Sequence, residues 1–293
     1  MQLELRDVSY SYGEGGVSRR NAVDHVSLTL DSTQFVGLIG HTGSGKSTLV
    51  QMLNGLLKPD EGEVFFEGQN VHSKDFKLRD LRRRVGLVFQ YPEYQLFEET
   101  VLKDVCFGPK NLGCTKEEQE ARAKKALSLV GLDEDYYDQS PFEMSGGQKR
   151  RVAIAGILAM EPDFLVLDEP TAGLDPQGRD EILEQIAKLN EEAGIGVVLV
   201  SHSMEDVANY ASRVLVMADG KIRFDGTPRE VFAHYKEMEQ IGLSAPQVTY
   251  IAEALRNKGF DLPEDLLTVN EAADAIYTYF KNKKEPKKEV QGS

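Results

Sequence analysis

The chain contains 293 residues, and 48 Asp and Glu against 34 Lys and Arg give it a formal net charge of −14. This length accommodates one large domain with a smaller addition, and the acidity argues against nucleic acid as the main partner, because phosphate backbones select for basic surfaces. No apolar run approaches the roughly 18 residues that span a bilayer, and the first residues lack a signal-peptide pattern. We therefore expect a cytosolic protein that reaches a membrane only through a partner.

Short apolar or alternating segments predict β-strands along most of the chain. They lie at residues 2–10, 23–31, 35–39, 63–68, 85–89, 164–167, 197–200, 214–217 and 221–224. Gly13–Gly16 and Ala218–Gly220 are turn signals between consecutive strands.

Helical patterns alternate with these strands. Helices are predicted to open at Thr48 and to occupy 116–130, 148–160, 180–193, 228–239, 246–258 and 269–281. Helices that alternate with buried strands indicate an α/β fold with a parallel sheet covered on both faces. The polar, Lys-rich residues 282–293 are predicted to be a disordered tail.

A phosphate-binding loop lies between the strand at 35–39 and the helix that opens at Thr48. Residues 40–47 read GHTGSGKS and match G-x-x-x-x-G-K-[ST]. Glycines let successive N–H groups point at one anion, and the helix N-terminus adds its positive dipole end. Lys46 is expected to reach the β- and γ-phosphates, and Ser47 to hold Mg²⁺. The candidate nucleotide-binding residues here are Gly40, His41, Thr42, Gly43, Ser44, Gly45, Lys46, Ser47 and Thr48.

Two adjacent acids end the strand at 164–167. Asp168 is placed to hold the metal, and Glu169 to polarise an attacking water. The alternative is a pair of surface acids at a strand end.

A third segment, Met144-Ser145-Gly146-Gly147-Gln148, precedes another helix. With this motif the chain resembles the ATP-binding subunits of ABC transporters over residues 1 to about 230, with Met144 where Leu is usual. The resemblance implies a P-loop ATPase core with a parallel sheet, an antiparallel β subdomain and an inserted helical subdomain. It also implies ATP and Mg²⁺ as ligands. In the family the Ser-Gly-Gly run caps the γ-phosphate of an ATP held by the opposite subunit, which requires a dimer.

Other residues match family elements in chain order. Tyr12 matches the aromatic residue that stacks on adenine, and a strand-edge Tyr is the alternative. Gln90 matches the glutamine that senses Mg²⁺ and couples to the membrane subunit. Asp175 matches the loop that crosses between subunits, and His202 the histidine that touches the γ-phosphate. The resemblance thus implies catalytic roles for Lys46, Gln90, Glu169 and His202, metal contacts for Ser47, Gln90 and Asp168, and nucleotide contacts for Tyr12, Ser145, Gly146, Gly147, Gln148 and Asp175.

Residues 89–97, FQYPEYQLF, resemble the corresponding segment of the energy-coupling factor type of importer ATPase. With Tyr91 at its third position, the segment is similar to that of the second of the two paired ATPases in such importers. This implies a second, non-identical ATPase chain, a helical transmembrane coupling subunit and a membrane substrate-capture subunit for vitamins or transition-metal ions. The resemblance also implies that this chain lies at the cytoplasmic face of the cell membrane, held there by its membrane partner. The domains would be 1–228 for the ATPase, with a helical subdomain near 95–158, and 229–281 for a helical extension.

Two alternatives remain, namely another ABC importer class, such as an amino-acid importer, and an ABC ATPase without a transport role. The 53 residues between Gln90 and Met144 leave no room for the coiled coil of DNA-repair relatives. For the membrane contact we expect the segment Tyr91–Gly108, whose acids Glu93 and Glu98 suit a basic helix; a solvated acidic loop is the alternative.

Overall fold

The computed structural model describes residues 1–13 and 20–284. Most of the predicted turn at 13–16 and of the predicted tail at 282–293 lies outside these residues. The described strands are β1 Gln2–Tyr12, β2 Arg20–Asp31, β3 Phe35–Ile39, β4 Glu61–Phe66, β5 Gln69–Asn70, β6 Val85–Val88, β7 Phe164–Asp168, β8 Gly196–Val200, β9 Arg213–Ala218 and β10 Lys221–Gly226.

The strands form two sheets. The larger has the order β10-β9-β3-β8-β7-β6, and all its neighbours are parallel except the β9–β10 hairpin. The smaller is antiparallel, with the order β2-β1-β4-β5. The predicted α/β class, parallel sheet and antiparallel β subdomain are therefore confirmed.

Three strands of the larger sheet are apolar throughout, the pattern of a parallel sheet that helices cover on both faces. Every residue of β3, β6 and β8 is buried. The described helices are α1 Lys46–Leu53, α2 Leu78–Arg84, α3 Val101–Asn111, α4 Lys116–Leu129, α5 Gly146–Leu158, α6 Pro176–Ala193, α7 Met204–Tyr210, α8 Pro228–Ala233, α9 Tyr235–Gln240, α10 Gln247–Asn257 and α11 Val269–Lys284.

Capping residues set two helix starts earlier than the apolar pattern predicted. Helix α5 begins at Gly146, because Ser145 and Gln148 form a reciprocal capping box. Helix α6 begins at Pro176, because the Asp175 carboxylate accepts from the Gly178 N–H at 2.7 Å and proline suits the first helical position. Helices α2 and α7 were not predicted, since each has only seven residues.

The last helices form two separate packing groups. Val231, Phe232 and Met238, from α8 and α9, pack in one cluster with Ile39 and Val214 of the larger sheet. Another cluster, Val248, Ala252, Leu262 and Leu266, brings α10 together with the segment before α11. Within residues 1–13 and 20–284, no helix is long and apolar enough to cross a membrane.

We predict that Leu165→Ala, in the centre of β7, lowers the free energy of unfolding by about 2–5 kcal/mol, because Leu165 is fully buried and its loss leaves a cavity. Leu129→Ala is the matched control, since that side chain is 38% exposed and should cost under about 1 kcal/mol. Urea denaturation measures both values. Equal losses would contradict the assignment of β7 to the core.

Candidate functional site

The carboxyl ends of four neighbouring parallel strands bring the predicted catalytic residues together. Strand β3 leads into the phosphate loop, β6 leads to Gln90, β7 to Glu169 and β8 to His202. The register pairs Leu38 with Val200, so the ends of β3 and β8 are level. Ligands of open α/β sheets bind at this edge.

The phosphate loop wraps around its own lysine. Lys46 Nζ donates to the carbonyl oxygens of Gly40 at 2.6 Å and of His41 at 3.1 Å. Gly45 has φ 108°, and a Cβ there would run into the Ala22 carbonyl, so only glycine fits. The side chain of Lys46 is buried, and burial lowers its pKa. The negative charges of Glu169 and Asp168 act in the opposite direction but are the smaller effect.

Ser47 and Asp168 make a site that fits Mg²⁺. Burial raises the pKa of Asp168, and a hydrogen bond from the Ser47 side chain opposes this shift. A half-buried carboxylate beside a hydroxyl is an oxygen donor set that Mg²⁺ uses, completed by phosphate oxygens and water. The predicted metal contact of Gln90 stays a prediction; its amide Nε2 donates to Glu169 Oε2 at 3.0 Å.

Glu169 is held from two sides. His202 Nε2 lies 2.7 Å from Glu169 Oε1, and Gln90 lies at the other oxygen. Glu169 has φ 53°, a left-handed backbone that is strained for a residue with a side chain and recurs at functional sites. The carboxylate is therefore fixed in direction rather than free to rotate.

A cleft of about 530 Å³ joins these groups. Tyr12 stands at one side, 50% exposed, with its hydroxyl 3.3 Å from Thr48 Oγ1. The lining residues are Tyr12, Ala22, Thr42, Gly43, Gly45, Lys46, Ser47, Thr48, Gln90, Glu169 and His202. Gly40, His41, Ser44 and Asp168 do not line the cleft, although Asp168 is reached through its hydrogen bond with Ser47. Ala22 also lines the cleft but was not predicted as a site residue, because an alanine in a strand carries no sequence signal that it lies beside the phosphate loop.

The other predicted nucleotide contacts lie in a second cleft of about 470 Å³. Ser145 caps α5, its hydroxyl accepting from the Gln148 N–H at 3.3 Å, and Gly146 and Gly147 leave open space beside it. Asp175 lines this cleft with them. The two clefts share no lining residue, so one chain does not bring Ser145 to its own Lys46.

The segment after Gln90 differs from the expected acidic face. Glu93 is only 15% exposed and pairs with the guanidinium of Arg150 at 2.7 Å. Asp104 accepts from the N–H groups of Phe97 and Glu98 at 2.9 Å each. Glu93 and Asp104 are therefore engaged within the chain, and the expectation that Glu93 contacts a partner stays a prediction.

Comparison with known proteins agrees with this geometry. A family model described as ABC transporter matches residues 23–172. The chain is 52% identical over 97% of its length, and 99% of the relative's, to the energy-coupling factor transporter ATP-binding protein EcfA2 of Caldanaerobacter subterraneus subsp. tengcongensis. It is 49% identical to the protein of that name from Listeria monocytogenes, with 95% and 98% covered.

Solved structures are similar as well. The cbiO1 structure from Clostridium perfringens, described as part of the ABC transporter complex cbiONQ, has a TM-score of 0.73 and 36% identity, with 86% of this chain and 98% of that one covered. A dimeric ATP-binding cassette in a post-hydrolysis state, bound to ADP and phosphate, has a TM-score of 0.68 and 32% identity, with 78% and 99% covered.

We predict that Lys46→Ala abolishes measurable binding of a fluorescent ATP analogue, because the cation expected at the phosphates is removed. Lys58→Ala, an exposed lysine outside the cleft, is the control and should bind normally. Fluorescence titration at equilibrium measures both affinities. Normal affinity in Lys46→Ala would refute the phosphate-loop assignment.

Proposed function

The chain belongs to the ABC transporter family as an energy-coupling factor transporter ATP-binding protein, and on this premise we propose how its site works. It is the ATP-hydrolysing subunit of an energy-coupling factor importer. The observation that carries the proposed mechanism is the Glu169 carboxylate, held between Gln90 and His202 in the phosphate-loop cleft.

The chemistry of the residues in and beside the cleft suggests their roles. Backbone N–H groups of the loop and Lys46 hold the β- and γ-phosphates, and Tyr12 offers a ring face to adenine. Ser47 and Asp168 would hold Mg²⁺, which neutralises developing charge on the phosphates when bound. Glu169 takes the proton of the attacking water, and His202 donates to the γ-phosphate while orienting Glu169.

The active site is shared between two ATPase chains. The N-terminus of α5, with Ser145, Gly146 and Gly147, is suited to bind an anion and lies outside the cleft that the phosphate loop of the same chain lines. We infer that it closes over the nucleotide held by the partner, with Gln148 and Asp175 beside it. ATP then favours the closed pair, and loss of the γ-phosphate favours the open one.

The membrane partner is proposed to dock beside the segment that follows Gln90. A groove of about 620 Å³ lies there, lined by α2, α3 and α5. Its lining includes Phe97 and Phe107, which are 55% and 40% exposed and meet edge to face with ring centroids 4.8 Å apart. Exposed aromatic side chains that contact each other on one surface are typical of a binding site. Its rim is basic, from Arg79, Arg82 and Arg83.

The assembly we propose has a second, non-identical ATPase chain, a helical transmembrane coupling subunit and a substrate-capture subunit for vitamins or transition-metal ions. The chain would sit at the cytoplasmic face of the membrane. Residues 1–228 would form the ATPase domain, with the helical subdomain near 95–158, and residues 229–281 the extension.

We predict that Glu169→Gln keeps ATP binding but lowers turnover by about 10² or more, the usual worth of a positioned base. It should also trap an ATP-bound pair, which size-exclusion chromatography with ATP, Mg²⁺ and the partner ATPase detects. Glu161→Gln, which changes a carboxylate that pairs with Arg122, is the control. Normal hydrolysis in Glu169→Gln would assign the base to another residue.

A second prediction concerns the groove. Phe97→Asp should release the chain from a purified membrane complex, because a charge replaces an apolar contact, while ATP binding is unchanged. Tyr277→Asp, on α11 and 70% exposed, is the matched control and should stay bound. Co-purification with the membrane subunit measures retention. Release by the control alone would place the contact on α11 instead.

A further inference from the structure

Arg150 is a buried cation in the middle of the helical region. It lies on α5, and its side chain is 2% exposed. A guanidinium keeps its charge under all conditions in which a protein is folded, so its burial requires partners for its N–H groups. Those partners identify what the residue does.

The partners come from two loops of the active site. Arg150 Nη2 and Nε donate to the two carboxylate oxygens of Glu93 at 2.7 and 3.1 Å. Arg150 Nη1 donates to the carbonyl oxygens of Pro170 at 2.8 Å and Ala172 at 2.9 Å. This bidentate pairing, together with two carbonyl acceptors, fixes the guanidinium plane in one orientation.

Both loops begin at residues that touch the nucleotide cleft. Glu93 lies three positions after Gln90. Pro170 and Ala172 belong to the turn that starts at Glu169, which the Ala172 N–H closes by donating to the Glu169 carbonyl at 3.2 Å. The strained backbone of Glu169 persists only where the surroundings fix it, and Arg150 binds the carbonyls of Pro170 and Ala172 in that turn.

We propose that Arg150 is a positioning residue for Glu169. It holds the turn that sets the direction of the Glu169 carboxylate and ties that turn to the Gln90 segment. Because Arg150 is on the helix that Ser145 caps, a shift of α5 is transmitted to Glu169 through one rigid side chain. The two clefts of a chain are thereby linked, although they share no lining residue. This proposal rests on the proposed function.

The test uses the full-length chain in the purified transporter complex. Arg150→Met alone leaves the Glu93 carboxylate buried and unpaired, which endangers folding. The informative variant is therefore Glu93→Gln with Arg150→Met, which removes both charges and leaves the two carbonyls without their donor. Arg150→Lys retains one cationic donor. Arg122→Gln is the matched control, because it breaks an Arg–Glu161 pair elsewhere in the helical region.

The expected result is a separation of kcat from binding. In the double variant kcat should fall at least about tenfold, the scale of a misplaced catalytic group, while KM and the Kd for an ATP analogue change less than about threefold. Arg150→Lys should have an intermediate kcat, and Arg122→Gln a normal one. Thermal melting confirms that each variant is folded.

Two results would overturn this proposal and leave the proposed function unaffected. One is a kcat in the double variant within about twofold of the wild type, in a complex that Glu169→Gln inactivates, since charge neutralisation would then be the whole role of Arg150. The other is a loss of ATP affinity as large as the loss of kcat. A wild-type complex without ATP turnover would instead overturn the proposed function, and this proposal with it.

Discussion

The phosphate loop and the Ser-Gly-Gly loop of one chain line different clefts, and this separation constrains every other feature of the mechanism. The loop at Lys46 lies at the carboxyl edge of the parallel sheet, whereas Ser145 caps a helix of the inserted region. Each cleft thus holds half of the groups that an enclosed γ-phosphate needs. On the proposed shared site, the chain hydrolyses ATP efficiently only when a second chain supplies the other half, and ATP becomes part of the interface.

Communication between the halves depends on how the loops are tied together inside one chain. Glu169 is held by Gln90 and His202 on its side chain and by the Arg150 contacts on the turn that follows it. The groove proposed for the membrane partner adjoins the same segment after Gln90, and Phe97 lines it. The groove proposed for the partner, the proposed base and the helix capped by Ser145 are therefore joined through the segment after Gln90 and the side chain of Arg150.

Much of this could be predicted from the sequence, because the strongest signals are local. The phosphate loop, the acids after β7 and the apolar strands are contiguous patterns, and the structure has strands close to where they were predicted. Long-range pairing was not accessible. Glu93 looked like a surface acid, since no sequence pattern shows that Arg150 lies 57 positions away as its partner. One signal was available: Arg150 shares an i, i+4, i+8 face with the buried Ile154 and Leu158, where a solvated arginine is unexpected.

The shared site is tested most directly by Ser145→Arg in this chain only. The complexes used carry a substitution of the phosphate-loop lysine in one chain, which inactivates the cleft of that chain. Single-turnover ATP hydrolysis is measured for each remaining cleft and compared with the same complex without Ser145→Arg. The bulky side chain fills the cap over the partner's γ-phosphate, so hydrolysis in the partner's cleft should be lost while that at Lys46 of this chain continues. Loss confined to the cleft of Lys46 would contradict the shared site.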